Sequence, residues 1–166
     1  MCIRDSSQTA DLDFAGKTFV PVGGVAGSFG GVYNGNNHLM KGVDYNNPTT
    51  DKTITTGGLF GIVDFTGVVS GLTLDETSVI ATQTNAGGIA GTLYGKIVNC
   101  VNKAKISTYG TTGAGGVAGY AYPGASLENC SNAGSVTAKT NYAGGILGQA
   151  PANARDSVKG LSLIHI

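Results

Sequence analysis

The sequence predicts an all-β protein built as a right-handed parallel β-solenoid, with about one repeat of 28–30 residues per turn. Three observations lead there. A five-residue glycine block recurs at a nearly constant step, and apolar residues keep fixed places behind each copy. No stretch sustains the i, i+3, i+4, i+7 apolar face of a helix.

The block reads Gly-Gly-Leu-Phe-Gly at Gly57–Gly61 and Gly-Gly-Ile-Ala-Gly at Gly87–Gly91. It returns as Gly-Gly-Val-Ala-Gly at Gly115–Gly119 and Gly-Gly-Ile-Leu-Gly at Gly144–Gly148. Its second glycines, Gly58, Gly88, Gly116 and Gly145, are 30, 28 and 29 residues apart. A period of this size marks repeats that cannot bury an apolar face alone and must stack on their neighbours. Close backbone approach is the expected reason for glycine at these positions.

Aligning the repeats gives inward columns. The first holds Leu59, Ile89, Val117 and Ile146; the second holds Val69, Ile97, Leu127 and Val158. The third holds Leu72, Cys100 and Cys130, and a later one holds Val79, Ile106 and Val136. Two inward residues three apart break the period-two alternation of a strand, so a corner falls between the second and third columns. Before the third column stand Gly71, Asn99, Asn129 and Gly160, residue types that tolerate left-handed backbone. Stacked asparagines at this corner are expected to bond as a ladder. Each repeat is read as three short strands: the glycine block, the segment through Ile97–Val101 and the segment through Ala104–Thr108, with rungs about 4.8 Å apart.

Cys100 and Cys130 share the column of Leu72 and are expected to be small buried hydrophobes in adjacent rungs, their Cα atoms about 5 Å apart. A disulfide between them needs geometry that in-register parallel strands rarely offer. A zinc site would need ligand spacings that are absent, such as Cys-x-x-Cys or paired histidines.

Composition narrows the function classes. Charged residues make up 12% of the chain and balance to a net charge of zero. There is no basic patch to attract nucleic acid. The longest apolar run is far short of a membrane span.

The two ends have a different origin from the repeats. The tail Leu161-Ser162-Leu163-Ile164-His165-Ile166 back-translates as CTG-TCT-CTT-ATA-CAC-AT. Its reverse complement, ATG-TGT-ATA-AGA-GAC-AG, encodes Met1-Cys2-Ile3-Arg4-Asp5 and begins Ser6. Residues 1–6 and 161–166 are therefore expected to be translated transposase sequencing adaptor, so Cys2 and His165 are not counted as ligands or nucleophiles. Residues 7–56 form an N-terminal β segment leading into the solenoid, and residues 57–160 carry the repeats. The adaptor ends are expected to pack irregularly, although Leu161 falls in step with the third column.

Gly-Gly-Ile-Ala-Gly followed by Lys96-Ile97-Val98-Asn99-Cys100-Val101-Asn102 resembles the GLUG repeat of bacterial surface proteins. So does Gly-Gly-Val-Ala-Gly followed by Ala125-Ser126-Leu127-Glu128-Asn129-Cys130-Ser131-Asn132. Upstream, Phe29 to Met40 resembles the segment that often precedes such repeats, with Asn34 where Asp is usual and Asn37 where Gly is usual. The resemblance covers about residues 14 to 160. It implies a large secreted or wall-attached bacterial protein, either adhesin-like or an IgA-specific metallo-endopeptidase outside its catalytic part.

Few residues suggest chemistry. His38 belongs to a turn-and-strand element of the resembled pattern, and no spacing supplies it with an orienting carboxylate or a pocket. The acidic residues Asp11, Asp13, Asp44, Asp51, Asp64, Asp75, Glu76, Glu128 and Asp156 share no column, which weighs against a glycosidase-like pair and favours solvated turns. Gly23–Gly27 is an off-period copy of the glycine block and lacks the Gly-Lys-Ser/Thr ending of a phosphate loop. Tyr94, Tyr109, Tyr120, Tyr122 and Tyr142 lie near turns, where they could stack on sugars or contact proteins, or simply pack over the turns.

No catalytic, cofactor-binding or metal residues are nominated. The candidate positions are structural: Gly58, Gly88, Gly116, Gly145, Asn99, Asn129, Cys100 and Cys130. The expected function is a non-catalytic structural or adhesive region of an extracellular or cell-surface bacterial protein, with host glycans or extracellular proteins as partners. The alternatives are the non-catalytic region of a secreted IgA-type metallopeptidase and a β-helix carbohydrate-active enzyme.

Overall fold

The computed structural model describes residues 5–24, 27–46, 56–110, 112–139, 142–152, 158–159 and 162–163. Among them every regular element is a strand, and every strand pair is parallel. The chain winds as a parallel β-solenoid, one glycine block per turn.

One turn shows the plan. It runs Ala86–Gly87, Ala90–Leu93, Lys96–Val98, Val101–Asn102 and Lys105–Thr108. The next repeats it as Gly113–Gly115, Ala118–Ala121, Ser126–Glu128, Ser131–Asn132 and Val136–Ala138. Equivalent strands stack into five walls of three, four, six, six and four strands. The expectation of three strands per repeat therefore gives way to five. The glycine block is not one strand: it ends one strand, bends at Gly88-Ile89, and begins another. The Asn99 corner divides the segment Ile97–Val101 in the same way.

Register fixes the inward columns. Ile97 is level with Val69 on one side and Leu127 on the other, and Leu127 is level with Val158. Val101 is level with Thr73 and Ser131, which sets Leu72, Cys100 and Cys130 in one buried file. Leu59, Ile89, Val117 and Ile146 are all buried, each bonded through its backbone to a neighbouring turn. Burying an aliphatic file of this kind contributes about 1.5–3 kcal/mol per side chain.

The fourth column needs one correction. Ile106 pairs with Ile80, not Val79, and Ile80 is buried while Val79 lies level with Lys105. The cause is corner length. Between Leu74 and Val79 lie four residues, Asp75 to Ser78, where the next turn has only Lys103 and Ala104 between Asn102 and Lys105. The longer corner is closed by Asp75 Oδ1, which accepts the Thr77 amide at 3.0 Å and the Thr77 hydroxyl at 2.8 Å.

The Gly/Asn corner has the expected backbone. Gly71, Asn99 and Asn129 have φ of 60°, 53° and 53°. Gly160 and Leu161 lie outside the described residues. The asparagine ladder, however, is three residues further on. Asn99 and Asn129 are exposed at the corner, whereas Asn102 and Asn132 point inward and are buried. Asn102 Nδ2 donates to Asn132 Oδ1 at 2.7 Å. Each asparagine also closes its own short corner: Asn102 Oδ1 accepts the Ala104 amide at 3.2 Å, and Asn132 Oδ1 the Gly134 amide at 3.1 Å. Their Nδ2 groups donate to the Ala104 and Gly134 carbonyls at 3.2 and 3.0 Å. A buried amide is tolerated because every polar atom is bonded.

The N-terminal turns are filled by aromatics in place of aliphatics. Phe60 packs against Phe29 and Tyr33, with ring centroids 4.9 and 5.5 Å apart. Buried Gln8 covers this layer, accepting the Tyr33 hydroxyl at 3.0 Å and donating to the Ala10 and Leu39 carbonyls. Gly23 falls level with Gly61 through the Val22–Phe60 bridge, so the early glycine block is out of step with the later ones. Contrary to the expected irregular packing, Asp5 and Ser6 pair with Val32 and Tyr33, and Ser162 and Leu163 with Ser131 and Asn132. An open parallel edge offers unpaired amides and carbonyls to any extended segment.

Candidate functional site: an aromatic ladder on one corner

Three of the four nominated glycines, Gly58, Gly88 and Gly116, are packing sites. A Cβ on Gly88 would overlap Asn102 Oδ1, and one on Gly116 would overlap the Asn132 side chain and the Gly145 carbonyl. A Cβ on Gly58 would stand 2.8 Å from the Phe60 carbonyl and 2.9 Å from Ala90 Cα. The flanking glycines of the block let two strands of the bend press together: a Cβ on Gly91 would sit 2.7 Å from the Gly57 amide, and one on Gly119 2.7 Å from that of Ala86. The glycine block and the asparagine block therefore form one packing unit, which explains why they occur together.

Cys100 and Cys130 are free, buried thiols. Burial pushes Cys100 up to about 12 and raises Cys130 in the same direction. Both lie against backbone carbonyls, Cys100 Sγ 3.4 Å from Val98 O and Cys130 Sγ 3.3 Å from Glu128 O. A thiol held neutral and out of solvent is a poor nucleophile.

His38 does meet a carboxylate, which its sequence spacing did not reveal. Its Nδ1 lies 3.3 Å from Asp11 Oδ1, and Lys41 Nζ lies 3.7 Å from Asp11 Oδ2. Asp11 also accepts the Leu39 amide at 2.9 Å, and that bond leads in holding its carboxyl below the usual range. The group is exposed and ties the first turn to the second. The remaining acidic residues with resolved contacts serve similar local ends. Asp64 accepts Ser28 Oγ at 2.7 Å and the Phe65 amide at 2.8 Å, and Glu128 pairs with Lys96 at 2.9 Å. Among the described residues, no three His, Cys, Asp or Glu side chains converge to hold a metal ion. Asp51 and Asp156 lie outside the described residues.

The five turn tyrosines separate into three settings. Tyr109 is a tie, its hydroxyl donating to Asn46 Oδ1 at 2.8 Å across two turns. Tyr142 is exposed on the strand Tyr142–Gly144. The other three form a ladder where the Ala90–Leu93 wall turns into the Lys96–Val98 wall. Tyr94 and Tyr122 are stacked, centroids 4.1 Å apart and planes 14° apart. Tyr120 leans on Tyr122 at 4.8 Å, and Phe65 leans on Tyr94 at 4.8 Å with a 52° tilt. Hydrogen bonding to Tyr122, burial and the neighbouring charges of Tyr122 and Asp64 push the Tyr94 phenol up to about 12.

Phe65 was absent from the candidate residues, yet a signal for it exists. Tyr94 and Tyr122 each follow the second glycine of their block by six residues, and Phe65 follows Gly58 by seven. It is 69% exposed. Tyr94 and Tyr122 each spend one face on the other; Phe65 is the most exposed ring of the ladder.

The family model described as the GLUG motif matches residues 110–137, a stretch from the turn before the third periodic glycine block to the strand Val136–Ala138. The chain carries a GLUG motif. Its GLUG repeat contains Gly116, Asn129, Cys130 and Asn132, the packing unit described above. Among solved structures, a crystal structure from Bacteroides ovatus described as "a putative immunoglobulin A1 protease" shares the fold, with a TM-score of 0.67 at 22% identity. The superposition covers 96% of this chain and 60% of that one, so the chain spans a little over half of the similar structure. No curated protein matches the sequence.

Proposed function

We propose that the chain is a non-catalytic GLUG-repeat region of a secreted or cell-surface bacterial protein, serving as a rigid spacer that presents its outer surface. The observation that carries this reading is the use of polar groups. Asn102, Asn132, Asp75 and Asp64 close corners of the coil, and the cysteines fill its core. The GLUG motif and the likeness to the Bacteroides ovatus structure support an extracellular setting. That likeness also favours a second reading: a non-catalytic part of a larger secreted peptidase whose chemistry lies elsewhere.

Antibodies raised against the purified chain test the location. Intact source cells or their culture medium should be labelled without lysis; labelling only after lysis would contradict the reading. Purified chain incubated with immunoglobulin A1 should leave the heavy chain whole, and cleavage by this region would overturn the non-catalytic assignment.

A further inference from the structure

The open ring of Phe65 stands on a braced support. Its turn is closed by the Gly67 amide bonding to the Asp64 carbonyl at 2.8 Å. Asp64 Oδ1 accepts the Phe65 amide, Ser28 Oγ binds Asp64 Oδ2, and Thr66 Oγ1 donates to the Gly30 carbonyl at 2.9 Å. A large apolar ring held this firmly in water invites a ligand with an apolar face.

The surroundings define that ligand. Beside the ring lie the Asp64 carboxylate and the Tyr94 and Tyr122 phenols, which together offer acceptors and donors. The adjoining lysine, Lys96, is held by Glu128, so among the described side chains the corner shows no cation to spare for a phosphate or sulfate. The site is a ridge, not an enclosed pocket, which suits a chain-like ligand lying along it. Phe65, Tyr94 and Tyr122 rise one per turn at the rung spacing of about 4.8 Å, close to the length of one pyranose unit.

We propose that this corner binds a linear, neutral oligosaccharide of gluco-configured pyranoses, one sugar face resting on Phe65 and its hydroxyls meeting Asp64 and the tyrosine edges. Equatorial hydroxyls leave the axial C–H groups of such a sugar clustered on its faces, and those faces stack on an aromatic ring. The proposal goes beyond the spacer reading and stands apart from it, since it needs only the exposed ridge.

The test is a titration of the full chain with cellohexaose and with chitohexaose. Binding is followed by tyrosine fluorescence, which is unobscured because the chain has no tryptophan. Saturable binding of at least one hexasaccharide is expected. Phe65→Ala and Phe65→Leu should each weaken it about tenfold or more, the loss of one stacking contact. Phe65→Leu keeps apolar bulk and guards against a folding artefact, and Tyr142→Ala should leave the affinity unchanged. No saturable signal from either sugar, or an affinity in both Phe65 variants equal to that of the parent chain, would overturn the proposal. Concentration-dependent sedimentation abolished by Phe65→Ala, without sugar binding, would instead assign the ridge to contact between copies of the chain.

Discussion

The side chains of Asn102 and Asn132 are bonded to each other at 2.7 Å across adjacent turns, inside the core of the coil. Each also closes a two-residue corner, and each lies against the second glycine of a glycine block. This arrangement couples two separated sequence blocks into one structural element.

Removing one member should therefore cost more than an ordinary surface asparagine. In Asn102→Ala the Ala104 amide and carbonyl lose their partner and Asn132 Oδ1 loses a donor. The expected loss is about 2–4 kcal/mol, read as a fall in the urea midpoint at unchanged slope. A loss below about 0.5 kcal/mol would show that the buried ladder is dispensable.

Gly88→Ala should destabilise by about 2–3 kcal/mol, because the new methyl overlaps Asn102 Oδ1. The double variant with Asn102→Ala should cost less than the sum of the two, since truncating the asparagine opens part of the space. Strict additivity would mean that the two blocks do not share one packing unit.

At the corner, backbone angle decides. Asn99 has φ of 53° and an exposed side chain. Asn99→Gly should change stability by less than about 0.5 kcal/mol, while Asn99→Ala should cost about 1 kcal/mol. Asn37, with φ of 62° and standing where the resembled pattern has glycine, should likewise accept glycine without loss. Circular-dichroism melts of the three variants would settle the order.

The thiols carry a pH signature. Cys100 is raised from 9.0 to about 12 by burial, so the unfolded chain releases this proton before the folded one does. The contribution is complete below about pH 9 and is lost as pH rises towards 12. Urea midpoints should fall over that window, less steeply in Cys100→Ala than in the parent chain. In folded protein at pH 8 Cys100 and Cys130 should resist iodoacetamide and become reactive in urea, read peptide by peptide by mass spectrometry; rapid labelling of either one without denaturant would contradict the buried file.

The period, the columns and the Gly/Asn corner were legible because few residue types satisfy each demand. Only glycine or asparagine readily suits the left-handed corner at positions 71, 99 and 129. The asparagine ladder was hidden because its column holds Leu74 one turn earlier, so position 102 shares no residue type with its equivalent in that turn. Val79 was placed inward because an alignment on apolar residues alone cannot see a corner two residues longer. On the aromatic corner, the tyrosines could be read from their spacing. Which ring faces remain open could not, because that follows from how Tyr94 and Tyr122 stack.

The central claim is that each GLUG-type repeat forms one turn, stacked in register on the next. Hydrogen-bond scalar couplings measured by NMR test it most directly, since they join an amide nitrogen to the carbonyl carbon it bonds. The structure predicts couplings from Ser131 N to the Cys100 carbonyl and from Val101 N to the Leu72 carbonyl, bonds of 3.0 and 2.8 Å. Couplings from these amides to any other carbonyl would contradict the register, and with it the file of Leu72, Cys100 and Cys130.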